Sequence, residues 1–281
     1  MLSKLNAENH YMKLFIALSV CFTIFSFGGC EESDLSSDTD IVEPVTFTDI
    51  VNDVEGHGTN SEYKGQKVTI TAAGKIVEGA DVPMIELFTH NSKVRFFIRD
   101  WDYNLGEFGY LAYMRSNLAH IRSHTTYTFT LVIKSISGHA TTGGGHFFRI
   151  YADVPEHTEK TDIEILDVTL EQIVADVSAG SKSYLGKTVR LQGTVSLDRI
   201  IELLGYSEGI DAQLAMLKSG QMPLATNKNN VVFWVVDDMG PFSAVNLSKY
   251  DNHQTYTFTL YIESVWARKG HYSIFSGVAD D

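Results

Sequence analysis

The feature that most constrains this chain is an internal repeat. HTTYTFTLVIKSI at 124–136 is matched by HQTYTFTLYIESV at 253–265, with the run Thr-Tyr-Thr-Phe-Thr-Leu identical. Four further blocks recur in the same order: VTFTDIVNDV (45–54) with VTLEQIVADV (168–177), YKGQKVTITAAGKI (63–76) with YLGKTVRLQGTV (184–195), VRFFIRD (94–100) with VVFWVVD (231–237), and HFFRI (146–150) with HYSIF (271–275). A shared order over most of the chain means that one unit occurs twice. The length of 281 residues suits two such units, at roughly 100–200 residues per domain.

Each block has a readable backbone. In the first, Phe47, Ile50, Val51 and Val54, and likewise Leu170, Ile173, Val174 and Val177, fall at helical spacing. Threonine leads each segment with Asp49 or Gln172 three residues on, and Thr169 to Gln172 fits a capping box. Period-2 alternation predicts strands near 66–77, 83–89, 93–101, 126–136 and 146–152 in repeat one, with a helix within 106–122. Tyr127, Phe129, Leu131 and Ile133 share one face of the fourth strand and threonines the other. Five strands with a helix between the third and fourth is the order of an OB barrel, whose closure removes most open strand edges. In repeat two, IELL (201–204) stands opposite IELF (85–88) as the expected second strand, followed by an insertion at 205–229. The expected fold is therefore all-β with short helices: two tandem five-stranded OB-like barrels, at 45–155 and 156–281, each preceded by a short amphipathic helix.

The N-terminal segment reads differently. In MKLFIALSVCFTIFSFGGC (12–30), Lys13 precedes a mostly apolar run from Leu14 to Phe27, and Gly28 and Gly29 lead to Cys30. About fourteen residues are too few to span a bilayer, which needs roughly twenty, and the flanks suit an export signal. The segment resembles the lipobox of bacterial lipoproteins, with Phe27 where leucine is usual. That resemblance implies cleavage after residue 29, lipidation of Cys30 and anchoring in the cell envelope, at the outer membrane in a Gram-negative cell. Either Met1 or Met12 is the start under this reading. Residues 30–44 form an acidic, self-repelling tether.

Tyr63, Lys64, Gly65, Lys67, Val68, Gly74, Lys75 and Ile76, echoed by Tyr184, Gly186, Lys187, Val189, Gly193 and Val195, resemble the anticodon-binding-like OB domains of exported bacterial proteins. The resemblance spans both repeats and implies a fold rather than an activity. The family name implies kinship with nucleic-acid binders, but it carries no residue role to this chain.

Charge and cysteine content narrow the function classes. The formal charge is −13; residues 45–155 hold 10 bases against 11 acids, and 162–281 hold 9 against 15. Non-specific nucleic-acid binding draws its affinity from Lys and Arg, so this balance disfavours it. Cys21 and Cys30 are the only cysteines, which excludes a disulfide, a cysteine zinc site or a thiol nucleophile from the repeats. No catalytic, metal, phosphate-binding or cofactor motif occurs at convincing spacing. The glycine-rich 138–146 segment lacks the ending of a P-loop, and His139 and His146, or His120 and His124, are simpler as structural residues than as ligands. The one grouping that suggests recognition is Trp266, Arg268, Lys269 and His271, an aromatic beside cations on the loop that borders the usual OB ligand face. The expected function is a lipid-anchored, non-catalytic envelope binding module for a protein, peptide or glycan. The alternative is an assembly lipoprotein that docks partner subunits through 205–229. Single-stranded oligonucleotide binding is a distant third.

Overall fold

The computed structural model describes residues 45–77, 80–103, 110–140, 145–198, 200–204, 211–237 and 247–279. The expected signal, Cys30 and the tether lie outside these residues. The first described element is α1 (Phe47–His57), whose N-cap Thr46 and Asp49 form a reciprocal capping box, Thr46 N–H donating to Asp49 Oδ2 at 3.0 Å and Asp49 N–H to Thr46 Oγ1 at 3.2 Å. Ile50, Val51 and Val54 face the core. A 3-10 turn (Gly58–Asn60) leads to β1 (Lys67–Ile76), β2 (Met84–Leu87), β3 (Val94–Arg99), α2 (Tyr110–Met114), β4 (Thr126–Ala140), β5 (His146–Ala152) and β6 (His157–Lys160).

These strands run β1-β2-β3-β5-β4, and β1 also pairs with β4, so the sheet closes on itself. β3 and β5 are parallel and the other neighbours antiparallel. Closure depends on β1 changing partner along its length. Lys67–Ala73 lie against β4, and Gly74–Ile76 lie against β2. Gly74 stands at the change, where a Cβ would come within 2.6 Å of the Glu86 carbonyl oxygen. The equivalent position of the second copy is Val195, which bridges to Leu224 as Gly74 pairs with Leu87. The close approach is particular to the first barrel, where only a side-chain-free residue fits beside the Glu86 carbonyl. On β4 the alternation works as the sequence implies. Tyr127, Phe129, Leu131 and Ile133 are buried, while Thr128 and Thr130 bond across the outer face to Thr71 and Thr69 at 2.9 and 3.0 Å. A bulge between Ile133 and Ser135 bends β4 so that its second half reaches β5.

The second repeat contributes β7 (Ile165–Asp167), α3 (Leu170–Ser178), β8 (Thr188–Thr194), α4 (Ile200–Leu204), α5 (Ala212–Ser219), β9 (Gln221–Leu224), β10 (Val231–Val236), β11 (Thr255–Arg268) and β12 (His271–Val278). Thr169 and Gln172 cap α3 as expected. The strand order is β7-β8-β11-β12-β10-β9, with a bridge from Val195, just past β8, to Leu224 of β9. β11 carries the same bulge as β4, between Ile262 and Ser264.

Five expectations change. The second strand of repeat two is Gln221–Leu224, not 201–204: Ile200–Leu204 is helical, with Ile200 in the core. Four residues are too few for periodicity to separate strand from helix, and Pro223 disguises the true strand. The expected insertion at 205–229 therefore precedes the second strand and ends by Gly220; α5 occupies part of it, and 205–210 lie outside the described residues. The helix expected within 106–122 is described only as Tyr110–Met114, followed by turns in which the Tyr113 hydroxyl donates to the carbonyls of Leu118 and Ile121. The fifth sequence block is displaced by one residue. Val94 pairs with Phe148 and Val231 with Tyr272, so His271 corresponds to Phe147 rather than His146. β6, just past residue 155, also adds to the first sheet through β4.

The barrels meet through a polar and aromatic knot. Glu263, on the bulge of β11, accepts hydrogen bonds from Lys75 of β1 and lies 3.5 Å from His124 Nε2. His124, 2% exposed, stacks on Phe88 at 5.4 Å, which in turn stacks on Tyr261 at 5.2 Å. His90 Nε2 reaches the Tyr261 hydroxyl at 3.1 Å. Two glycines of the second barrel admit these rings: a Cβ would stand 2.8 Å from His90 at Gly186 and 1.8 Å from His124 at Gly277. Burial opposes ionisation of Glu263, but His124 and Lys75 outweigh it and hold its carboxyl below the ordinary glutamate range. Burial pushes His90 down and Tyr261 up. His124 and its sequence counterpart His253 both have positive φ, 59° and 63°. They share a turn conformation ahead of the fourth strand, and only His124 is buried.

Candidate functional site

The outer face of β3 follows directly from its sequence. Phe96 and Ile98 point inward and are fully buried, so Arg95, Phe97 and Arg99 of VRFFIR point outward. Parallel pairing sets Arg149 beside Arg95 and Tyr151 beside Phe97, and antiparallel pairing sets Glu86 of β2 on the other side of Phe97. β4 adds Ser137 opposite Arg149 and His139 opposite Phe147. One sheet face thus alternates cations and rings. This is the β2–β3 region by which OB barrels commonly hold oligomeric ligands.

The contacts are specific. Phe97 and Tyr151 stack at 5.5 Å, and Trp101 meets Tyr151 edge-on at 6.4 Å. The Arg99 guanidinium lies 4.0 Å from the Trp101 ring and 5.2 Å from Tyr151, Arg95 lies 4.9 Å from Phe97, and Arg149 lies 5.2 Å from Phe147. His139 stacks on Phe147 at 5.0 Å and meets the Ser137 hydroxyl at 3.2 Å. Phe97 is only 4% exposed although it faces away from the barrel interior, because these neighbours cover it; Trp101 is 48% exposed.

The three arginines differ in what neutralises them. Arg95 forms a fork with Glu86, both contacts at 2.6 Å, and this bond raises its pKa. Arg99 and Arg149 have no carboxylate within ion-pair distance among the described residues, and each keeps a buried Nε without a hydrogen-bond partner. Beyond Arg99 the face opens into a cavity of about 570 Å³ lined also by Trp101, Asp102, Lys134 and Asp153. There Lys134 pairs with Asp153 at 2.8 Å. The Arg99 end is therefore mixed in charge and the Arg149 end cationic.

The equivalent face of the second barrel is an internal control. By register, Phe97 corresponds to Trp234, Tyr151 to Phe275, Arg95 to Val232, Arg99 to Val236 and Arg149 to Ser273. The rings persist, with Trp234 and Phe275 stacked at 6.5 Å, but every arginine is replaced. The barrel does not need these cations in order to close.

The residues singled out from the sequence lie on that second face. Trp266 is 68% exposed and edge-on to Phe275 at 5.8 Å. Arg268 pairs across the hairpin with His271, and Lys269-Gly270 form the two-residue turn with φ of 51° and 77°. All three polar side chains are exposed, and none bonds to another. Trp266 and Arg268 share a strand face, while Lys269 sits at the tip. The match of VRFFIRD to VVFWVVD does not by itself mark the face on the first barrel. The available signal was the Arg-to-Val difference between the copies at both outward positions.

In α5, Ala215 and Met216 belong to the core and Leu214 is exposed, so the segment expected to dock partners supplies much of its apolar surface to its own barrel. No group of three or more His, Cys, Asp or Glu is placed to hold a metal among the described residues. Likewise no helix there is long and apolar enough to cross a membrane.

No protein-family profile matches the chain, and no curated protein matches it. A solved structure described as "Structural mimicry for functional antagonism" aligns over 76% of this chain and 90% of its own, with 9% identity and a TM-score of 0.26, too remote a likeness to bear on fold or function.

Proposed function

We propose that this chain is a non-catalytic binding module of the bacterial envelope, tethered by lipid on Cys30, that holds its ligand on the outer face of β2, β3 and β5 in the first barrel. The supporting observation is the pair of guanidinium groups, Arg99 and Arg149, stacked on rings with no anionic partner among the described residues. Holding two such cations half-buried costs desolvation energy that an internal carboxylate would offset. Their absence from the second barrel supports a role in recognition rather than in folding. The lipobox-like segment and the acidic tether support the location, and a similarity to exported OB domains fits both.

The test compares wild-type protein with Arg99→Gln/Arg149→Gln in capture from detergent-solubilised envelopes. A set of components retained by the wild type and lost by the double variant, at unchanged melting temperature, is the expected result. Identical capture refutes the site. Replacing Cys30 with Ser should abolish metabolic labelling by a fatty-acid analogue; persistent labelling refutes the anchor.

A further inference from the structure

We infer that the cation–aromatic face of the first barrel binds an acidic polysaccharide, taking a sugar carboxylate at Arg149 and a sugar ring against Tyr151 and Trp101. The inference rests on the binding-module reading and adds the chemical class of the ligand.

Arg149 offers the anion position. It lies between Arg95, whose charge Glu86 already neutralises, and the uncharged Ser137 and Phe147. Apart from Glu86, the carboxylates Asp102 and Asp153 line the cavity at the Arg99 end. A guanidinium fork matches a carboxylate with two parallel bonds. The rest of the face is apolar ring. From Phe147 to Tyr151 is four residues of strand, about 13 Å at roughly 3.3 Å per residue, so a ligand spanning the anion position and the Tyr151–Trp101 edge contains more than one ring.

Other polyanions fit less well. A single-stranded nucleic acid binds by laying bases on free ring faces. Here Phe97 and Tyr151 face one another, and the Arg99 guanidinium covers one face of Trp101. An extended acidic peptide gains affinity by adding to an open strand edge, whereas β3 and β5 are paired on both sides. A glycan needs no open strand edge and only the remaining exposed surface of Trp101 for one ring, and its stiff rings lose little freedom on binding.

The test is calorimetric titration of the full-length protein in detergent with four probes: an oligogalacturonate, its methyl ester, oligo(dT) and poly-L-glutamate. The expected result is binding of the oligogalacturonate, none of the methyl ester, and a loss of about tenfold or more in Arg149→Gln, as for a charge-assisted bond worth roughly 1.5–3 kcal/mol. Arg149→Lys keeps the charge and the outer-face packing but not the fork, and should fall between. No binding of the oligogalacturonate, or equal binding of its ester, overturns the inference. Arg149-dependent binding of oligo(dT) or poly-L-glutamate in its place overturns the glycan assignment while leaving the binding module standing. Silence from all probes, together with unchanged envelope capture by the double variant, removes both.

Discussion

Gly277→Ala tests the joint between the barrels most directly. The glycine has an ordinary φ, so alanine costs nothing in backbone conformation, yet its Cβ would stand 1.8 Å from His124 Cε1 and Nδ1 and 2.3 Å from Cγ. Real Cβ atoms do not approach other heavy atoms closer than 3.0 Å. His124 has little freedom to retreat, being 2% exposed, stacked on Phe88 and 3.5 Å from the Glu263 carboxylate. Overpacking costs about 1–3 kcal/mol. Moving His124 also takes a partner from the half-buried Glu263, so the expected loss is near 3 kcal/mol at most. For a domain of this size that is a fall of about 6–12 °C in Tm. Thermal denaturation followed by near-ultraviolet circular dichroism measures it, and a cycle with His124→Ala isolates the cause. In the His124→Ala background the ring is gone, so Gly277→Ala should cost less than about 0.5 kcal/mol. A single variant as stable as wild type, or a cost unchanged in the double variant, refutes the packing argument.

The same knot should make the protein sensitive to acid. Glu263 has a folded pKa below its ordinary 4.5, so its contribution is present above that value and lost as pH falls through the lower folded value. His90 is lowered from 6.5 by burial, so protonation favours the unfolded state and the loss begins below pH 6.5. Tm measured from pH 7 to pH 3.5 should fall with pH, and Glu263→Gln should flatten the lower part of the curve; an identical slope in that variant counts against the assignment. In the first core, Phe129→Ala should cost about 3–5 kcal/mol, since the ring is 1% exposed; an unfolding free energy from urea titration lowered by less than about 1 kcal/mol would place that ring outside the core. Thr169→Ala removes the acceptor of Gln172 N–H at 3.2 Å and should cost about 1 kcal/mol, read in the same assay.

Local order carried most of the fold. Capping at Thr46 and Thr169 and the alternation of Tyr127, Phe129, Leu131 and Ile133 are short-range signals, and a duplicated sequence states each of them twice. Tertiary structure decided what short-range signals do not encode. IELL could be strand or helix, and it became a helix because Pro223-containing QMPL took its place beside β10. The offset of one residue in the fifth block depended on parallel pairing with β3 and β10, a partner distant in sequence. The candidate site is hidden for the same reason. Arg95 and Arg149 stand 54 positions apart in sequence, and only the barrel makes them neighbours. His124 and His253 have the same local sequence and the same turn, but a glycine from the other copy buries one of them. Periodicity along a chain determines which side of a strand is apolar; which strands adjoin, and which charges then lack partners, is settled only when the sheet closes.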